Sequence, residues 1–335
     1  MGGAEKTMKK VYYFTDLNKL PEIMQSLGVS GFHDKDVLVK LHMGERKNQF
    51  FPRPEYVKQH IDILHEVKAR PFLYDTTVLY RSDRYTQDGY QQVAKDHGFT
   101  IGNVGCNVVI DDEGIPVTIE GNIYEVGKTL HESSHVLALS HVKGHNATGM
   151  GGAIKNFGMG GVTKKTKGWL HKGSKPLYNN DKCTFCGVCS EVCPFQAIKV
   201  TDDEWNINKR SCFGCGVCVD NCSFDALDYK RYDLQYTLAC AAKACVDKKN
   251  VIYVNELKRI SKTCDCDAHA GPIICPDVGY LASNDMVSVD AASLDLIHNV
   301  KPDVFENTHH VDPEKQIRYA EEIGLGRSEY QLISI

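Results

Sequence analysis

The chain has 335 residues, 42% hydrophobic and 24% charged, an ordinary balance for a globular protein with room for about two domains. Thirty-nine Lys and Arg against 43 Asp and Glu leave a net charge of −4, so no global basic field draws in nucleic acid or anionic lipid. The 14 Cys are too uneven, in too long a chain, for a disulfide-stapled scaffold; reduced, clustered thiols point to metal and to the cytoplasm.

Residues 1–7 read as an extension ahead of Met8. Val11–Thr15 is predicted as a strand, Leu17–Leu27 as a helix, Val37–Leu41 as a strand and Arg53–Ala69 as a helix with Pro54 early in it. Phe72–Asp75 is a strand, followed by a helix over Thr86–Asp96 that Gly98 stops. Asn107–Ile110 and Val117–Ile119 flank Asp111-Asp112-Glu113-Gly114, which reads as a hairpin turn. His135–Leu139 is a buried strand. Beyond a Cys-rich stretch come a helix (Leu234–Val246), a strand (Val251–Val254), a helix (Glu256–Ile260), a strand (Tyr280–Ala282) and a helix (Ala291–Asn299). Strand–helix alternation on both sides of 176–230 predicts an α/β fold. Its α/β domain is split into 8–175 and 231–335, with 176–230 inserted. Two α/β domains joined by that segment are the alternative. No apolar run is long enough to span a bilayer, and no signal-peptide pattern opens the chain.

Eight cysteines fall in two tandem C-x2-C-x2-C-x3-C segments: Cys183, Cys186, Cys189, Cys193 and, 29 residues on, Cys212, Cys215, Cys218, Cys222. This is the βαβ-like bacterial ferredoxin pattern for two 4Fe–4S clusters. Three thiolates on a tight loop with Gly187 or Gly216 cover three corners of a cubane. The fourth Cys opens a short helix leading away, so it ligates the other cluster. One cluster is therefore expected on Cys183, Cys186, Cys189 and Cys222, the other on Cys212, Cys215, Cys218 and Cys193. Apolar neighbours such as Phe185, Phe195 and Phe224 would exclude water and hold potentials low, on the order of −400 mV. Ser223 stands where Pro194 sits in the first segment. Zinc is the competing reading, but eight Cys in tandem triplets exceed what closed four-ligand sites need.

A second constellation follows the 135–139 strand: His141, Lys143, His145, Lys155 and Asn156 among Gly149, Gly151, Gly152, Gly158, Gly160 and Gly161. Strand ends are where α/β sheets bind ligands. The glycines let backbone N–H groups approach an anion, and a short helix from Gly151 would aim its N-terminus at it. His141, Lys143, His145 and Lys155 are the expected catalytic groups; a glycine-rich structural turn is the plainer alternative. Neither a Walker A motif nor a nicotinamide or flavin fingerprint is present.

Cys264-Asp265-Cys266-Asp267-Ala268-His269 sets soft ligands close together. It reads either as a third metal or redox site, with Cys264, Cys266 and His269 as ligands, or as a reduced loop. Cys106, Cys240, Cys245 and Cys275 read as structural or as weak partners. Lys40, His42, Glu45, Asp75, Thr76, Arg81 and Arg84 lie at predicted strand ends and suggest a common cleft.

Lys9–Asp16, Val39–Glu45, Pro71–Tyr80, Gly98-Phe99-Thr100, His141–Gly161, Cys264-Asp-Cys266 and Pro276–Ser283 together resemble the Fe–S centre proteins of domain-of-unknown-function family 362, with an inserted ferredoxin module. The resemblance implies one split domain and no assigned chemistry. His145-x3-Gly149-x2-Gly152-x2-Lys155 is also similar to the loop of nickel-pincer lactate racemases, where the matching His assists catalysis and the Lys carries the cofactor. What it implies here is a ligand pocket. Two functions are expected to compete. One is an oxidoreductase whose clusters take electrons from a redox partner protein and pass them to a small molecule in that pocket. The other is a non-enzymatic ferredoxin-like carrier or docking subunit. A buried Lys155 beside His145 and a cavity favours the first.

Overall fold

Near-continuous apolar runs such as Val37-Leu38-Val39 and Val136-Leu137-Ala138-Leu139 are fully buried, the mark of strands covered on both faces. Eight strands share one sheet: β1 (Lys9–Phe14), β2 (Asp36–Lys40), β3 (Arg70–Thr76), β4 (Val108–Asp111), β5 (His135–His141), β6 (Asn250–Leu257), β7 (Gly279–Ser283) and β8 (Tyr330–Ser334). Their order in the computed structural model, which describes residues 8–335, is β8-β1-β7-β6-β5-β2-β3-β4. Strands β6, β5, β2, β3 and β4 run parallel, and β7 is antiparallel to both its neighbours.

Strands from before and after residues 176–230 are therefore interleaved within a single sheet, because β1 sits between β8 and β7. Helices cover both faces. One core packs α1 (Leu20–Ser26), α2 (Pro54–Glu66) and α3 (Gln87–Asp96) against β2, β3 and β5. The other holds α4 (Ala153–Gly158), α5 (Lys164–Gly173), α6 (Leu234–Val246) and α7 (Met286–Val300). Helix α6 has the predicted bounds; its Asp233 cap accepts from the Gln235 amide, and small residues such as Ala239, Ala241 and Ala242 are fully buried.

Two expectations fail. Residues 111–114 do not close a hairpin: β4 instead joins β3 in parallel, and the Asp111 carboxylate takes the Tyr74 hydroxyl (3.0 Å) and the Thr129 amide (2.6 Å). The hairpin lies one strand later, with Gly114–Ile119 pairing Asn122–Gly127 around Glu120 and Gly121. Both turn residues have positive φ (47° and 73°), as a two-residue hairpin turn that follows the sheet twist requires. Glu256–Ile260 is not a helix, because Glu256 and Leu257 extend β6 against Tyr280 and Gly279. The proposed extension, residues 1–7, lies outside the described residues.

Residues 176–230 form a small unit closed by Pro176–Tyr178 pairing antiparallel with Leu227–Tyr229. Its internal repeat extends to the backbone. Phe185 and Gly214, Gly187 and Gly216, and Gln196 and Asp225 are all left-handed, each pair 29 residues apart. Short helices Val188–Glu191 and Val217–Asp220 follow the same offset.

Candidate functional site

The parallel strands β2, β3 and β5 end on one edge of the sheet, where an α/β fold gathers its ligand groups. A cavity of about 290 Å³ opens there, lined by Lys40, Asp75 and His141 from the three strand ends. His145, Lys155, Cys264 and Cys266 complete its reactive wall.

Two of the four expected catalytic groups, His141 and Lys143, line the cavity and engage the Asp265 loop. The His141 ring is fully buried; its Nδ1 lies 2.8 Å from Asp265 Oδ1 and its Nε2 2.9 Å from the Lys258 carbonyl oxygen. Both ring nitrogens face oxygen atoms of the chain. Lys143 Nζ is 2.7 Å from the His141 carbonyl and 3.1 Å from Asp265 Oδ2. Burial alone would push the Asp265 carboxyl up, but His141 and Lys143 outweigh it and hold the group well below the usual carboxylate range. His141 and Lys143 thus position the loop that carries Asp265 and, on either side of it, Cys264 and Cys266.

The other two, His145 and Lys155, also line the cavity. Lys155 Nζ is 3.3 Å from Cys264 Sγ. The neighbouring Cys266 thiol, with help from Lys155, holds Cys264 well below the ordinary thiol range despite burial. Cys264 in turn, with burial, raises Cys266. Burial would lower Lys155, but the Cys264 sulfur overrides it and raises the amine. His145 Nδ1 accepts from the Ala147 amide at 3.2 Å, which leaves the ring proton on Nε2. Burial, reinforced by Lys155, pushes His145 well below its ordinary value, so the ring is neutral.

Around them lie ion pairs. Lys40 Nζ meets Asp75 Oδ1 at 2.9 Å and Asn156 Oδ1 at 2.8 Å, and Asn156 Nδ2 donates to Ser140 Oγ, tying the β2 and β5 ends together. Arg84 is fully buried; it places Nε and Nη2 at 3.1 and 3.0 Å from Glu45 Oε2 and donates from Nη1 to His42 Nε2 at 2.8 Å. Lys167 has no carboxylate partner among the described residues. Its amine donates to the Thr76 hydroxyl (2.8 Å), and burial draws it down to about 7.

The glycine-rich loop does not offer a helix end to an anion. Helix α4 begins after Gly152, and the Asp290 carboxylate already accepts from the Ala153 and Ile154 amides at 2.7 and 2.8 Å. A Cβ at Gly152 would stand 2.4 Å from Asp290 Oδ1, which is why that position has none. The expected anion-binding N-terminus is thus filled by the protein itself.

His269 is exposed and absent from the cavity wall, so the set Cys264, Cys266 and His269 is not assembled there. Cys275 is buried away from the cavity, and Cys106, Cys240 and Cys245 are core residues.

In the inserted unit, Cys183, Cys186, Cys189 and Cys222 line one small cavity under Tyr178, Phe185, Trp205 and Phe224. Cys193, Cys212, Cys215 and Cys218 line another with Phe195 and Phe213. Phe195 and Phe213, whose ring centroids are 5.0 Å apart, also line the large cavity. The Phe213 ring packs on His171 at 4.1 Å between centroids.

Lys167, His171, and the place of Phe195 and Phe213 in this wall escape sequence reasoning. The run Lys164–Gly173 carries four Lys and one His. The available signal was its spacing: Thr163, Thr166, Lys167, Leu170 and His171 repeat as one helical face, and all five are buried.

A family model described as "Domain of unknown function (DUF362)" matches residues 37–295. No curated protein matches the chain. Among solved structures, the chain is similar to the lactate racemase apoprotein from Thermoanaerobacterium thermosaccharolyticum at 12% identity and a TM-score of 0.44, covering 90% of this chain and 59% of that one. A protein from Thermotoga maritima is similar at 9% identity and a TM-score of 0.44, over 88% and 58%. The chain therefore spans less than two thirds of the length of either. No helix among the described residues is long and apolar enough to cross a membrane.

Proposed function

The chain belongs to the DUF362 family, and from the geometry of its site we propose that it is an iron–sulfur redox protein whose two 4Fe–4S clusters pass electrons to a ligand in the α/β cavity. The observation that carries the reading is the shared wall: Phe195 and Phe213 line both the Cys193/Cys212/Cys215/Cys218 cavity and the large one.

The donor sets fit the clusters. Each small cavity is walled by four thiols, drawn crosswise from the two repeats. Backbone amides already point at two of the sulfurs, Phe185 N at Cys183 Sγ (3.4 Å) and Ala197 N at Cys193 Sγ (3.3 Å). Such bonds stabilise charge on ligating sulfur and tune the potential. When bound, the clusters supply one-electron transfer at low potential. The chain's own residues do the rest: Lys155 and Lys167 attract an anionic ligand, and neutral His145 can give a proton from Nε2. The cavity at Lys155 favours this reading over a plain carrier, whose α/β part would need no enclosed reactive wall. Electrons would enter from a redox partner protein through the Cys183/Cys186/Cys189/Cys222 end.

Anaerobically purified protein should carry about eight iron and about eight acid-labile sulfide per chain, as two cubanes require. About two zinc per chain with no labile sulfide would sink the proposal.

A further inference from the structure

The clusters just proposed move electrons singly, while the cavity presents two sulfurs that can accept a pair. Resting on that redox reading, we propose that Cys264 and Cys266 form a dithiol–disulfide couple, reduced by the clusters and oxidised by a small anionic disulfide held in the cavity.

Three observations converge on the pair. Cys264 and Cys266 line the same cavity as Phe195 and Phe213, so they sit on the cluster-facing pocket and not elsewhere on the molecule. The residue between them, Asp265, is fully buried and held by His141 and Lys143, which fixes the loop so that both neighbours face inward. Lys155 Nζ stands 3.3 Å from Cys264 Sγ, where it stabilises a thiolate. That ammonium also takes the place beside the sulfur that a metal cation would need, and His269 lies outside the cavity wall, so the pair fits thiol chemistry better than a third metal.

The substrate class follows from charge. Lys40, Lys143 and Arg84 are matched by Asp75, Asp265 and Glu45. Lys155 and Lys167 have no carboxylate partner among the described residues, and both line the cavity. An anion is the ligand that completes them.

The step balances as thiol–disulfide exchange. The Cys264 thiolate attacks one sulfur of the substrate disulfide, forming a mixed disulfide and releasing a first thiolate. Cys266 loses its proton and attacks Cys264 Sγ, closing Cys264–Cys266 and releasing the second thiolate. The Cys266 proton and one from solvent, passed by His145, convert both to thiols. Two electrons, delivered one at a time by a low-potential ferredoxin-type donor through the clusters, and one proton restore the thiolate and the thiol.

The test uses the full-length, cluster-loaded protein under anaerobic conditions, with dithiodiglycolate as the anionic disulfide. After exposure, acid quenching and alkylation, the peptide bearing Cys264 and Cys266 should be unlabelled at both and two hydrogens lighter by mass spectrometry. Cys266→Ser should stop at the mixed adduct on Cys264. Photoreduced deazaflavin should reopen the wild-type disulfide about tenfold faster than in Cys212→Ala, which lacks the near cluster. Two alkylatable thiols after exposure, in protein that holds reducible clusters, overturn the couple and leave the redox reading standing. Equal reopening rates in wild type and Cys212→Ala overturn its supply by the clusters. Protein that forms the disulfide but binds no iron defeats the redox reading, and with it the cluster-fed couple.

Discussion

Gly214 runs directly against the carbonyl of His171: a Cβ at position 214 would stand 1.9 Å from that oxygen. The contact joins the inserted unit to α5 beside the cavity, and Gly214 holds a φ of 78° that L side chains rarely adopt. Gly214→Ala should therefore loosen the seat of the insert. We expect a loss of about 1–3 kcal/mol in unfolding free energy. Cluster reduction by a small reductant should persist, while electron delivery to the cavity slows. A variant with wild-type delivery rates would show that the seat does not matter.

Asp265→Asn should be far more costly than a surface change. It leaves Lys143 buried without its counter-charge and takes away a carboxylate oxygen that the His141 ring faces, a loss of about 3–5 kcal/mol for a broken buried pair. The carboxyl is depressed, so its contribution is full above the ordinary carboxylate pKa and falls away as pH drops through the lower folded value. Urea titration of wild type and variant between neutral and acid pH checks both points. A difference below about 1 kcal/mol at neutral pH would reduce the triad to an incidental contact.

His60 and His171 are among the histidines that burial holds neutral. His60 and His171 are each pushed down to about 4, burial being the larger cause in both and only partly offset by a backbone hydrogen bond. The unfolded state takes up their protons first, so stability is full above about pH 6.5 and is lost as pH falls towards 4. The loss is up to roughly 3 kcal/mol for each fully buried ring. His60 Nε2 has no hydrogen-bond partner among the described residues, which makes His60→Leu a suitable comparison. The gap in stability between His60→Leu and wild type should shift in favour of the variant across that window; a constant gap would contradict the burial argument.

The crossed ligand sets make a pairwise prediction. Cys222→Ala and Cys189→Ala should perturb the same electron paramagnetic resonance signal of the reduced protein, because those residues share one cavity. Cys193→Ala should perturb the signal altered by Cys212→Ala. Cys193 grouping with Cys189 would defeat the crossing.

What was legible in the sequence was local. The two Cys quartets are set by spacing within a few residues and by one repeat, and the strands β2, β5 and helix α6 by continuous apolar runs. The cavity is not local. Lys40 meets Asp75 35 residues away, Lys155 meets Cys264 109 away and His141 meets Asp265 124 away. Nothing in the pattern around His141 or Lys143 says that Asp265 will meet both of them. The Asp290 carboxylate that fills the α4 end lies 137 residues from Ala153, and only the fold reveals it. The hairpin misreading has a shorter cause: Asp-Asp-Glu-Gly looks like a turn, while the Glu120-Gly121 pair that makes one lacks the Asn or Asp usual before Gly.

The placement of β6 between β5 and β7 bears on the order in which a growing chain can assemble. Every strand that precedes the insert leaves the ribosome before β6 exists, so the sheet lacks its middle until the whole insert has been translated. Cys264 and Cys266, further on again, follow both cluster quartets. The reactive wall of the cavity therefore cannot form ahead of the residues proposed to feed it, and any cluster loaded during synthesis would be in place before the pocket closes around its first ligand.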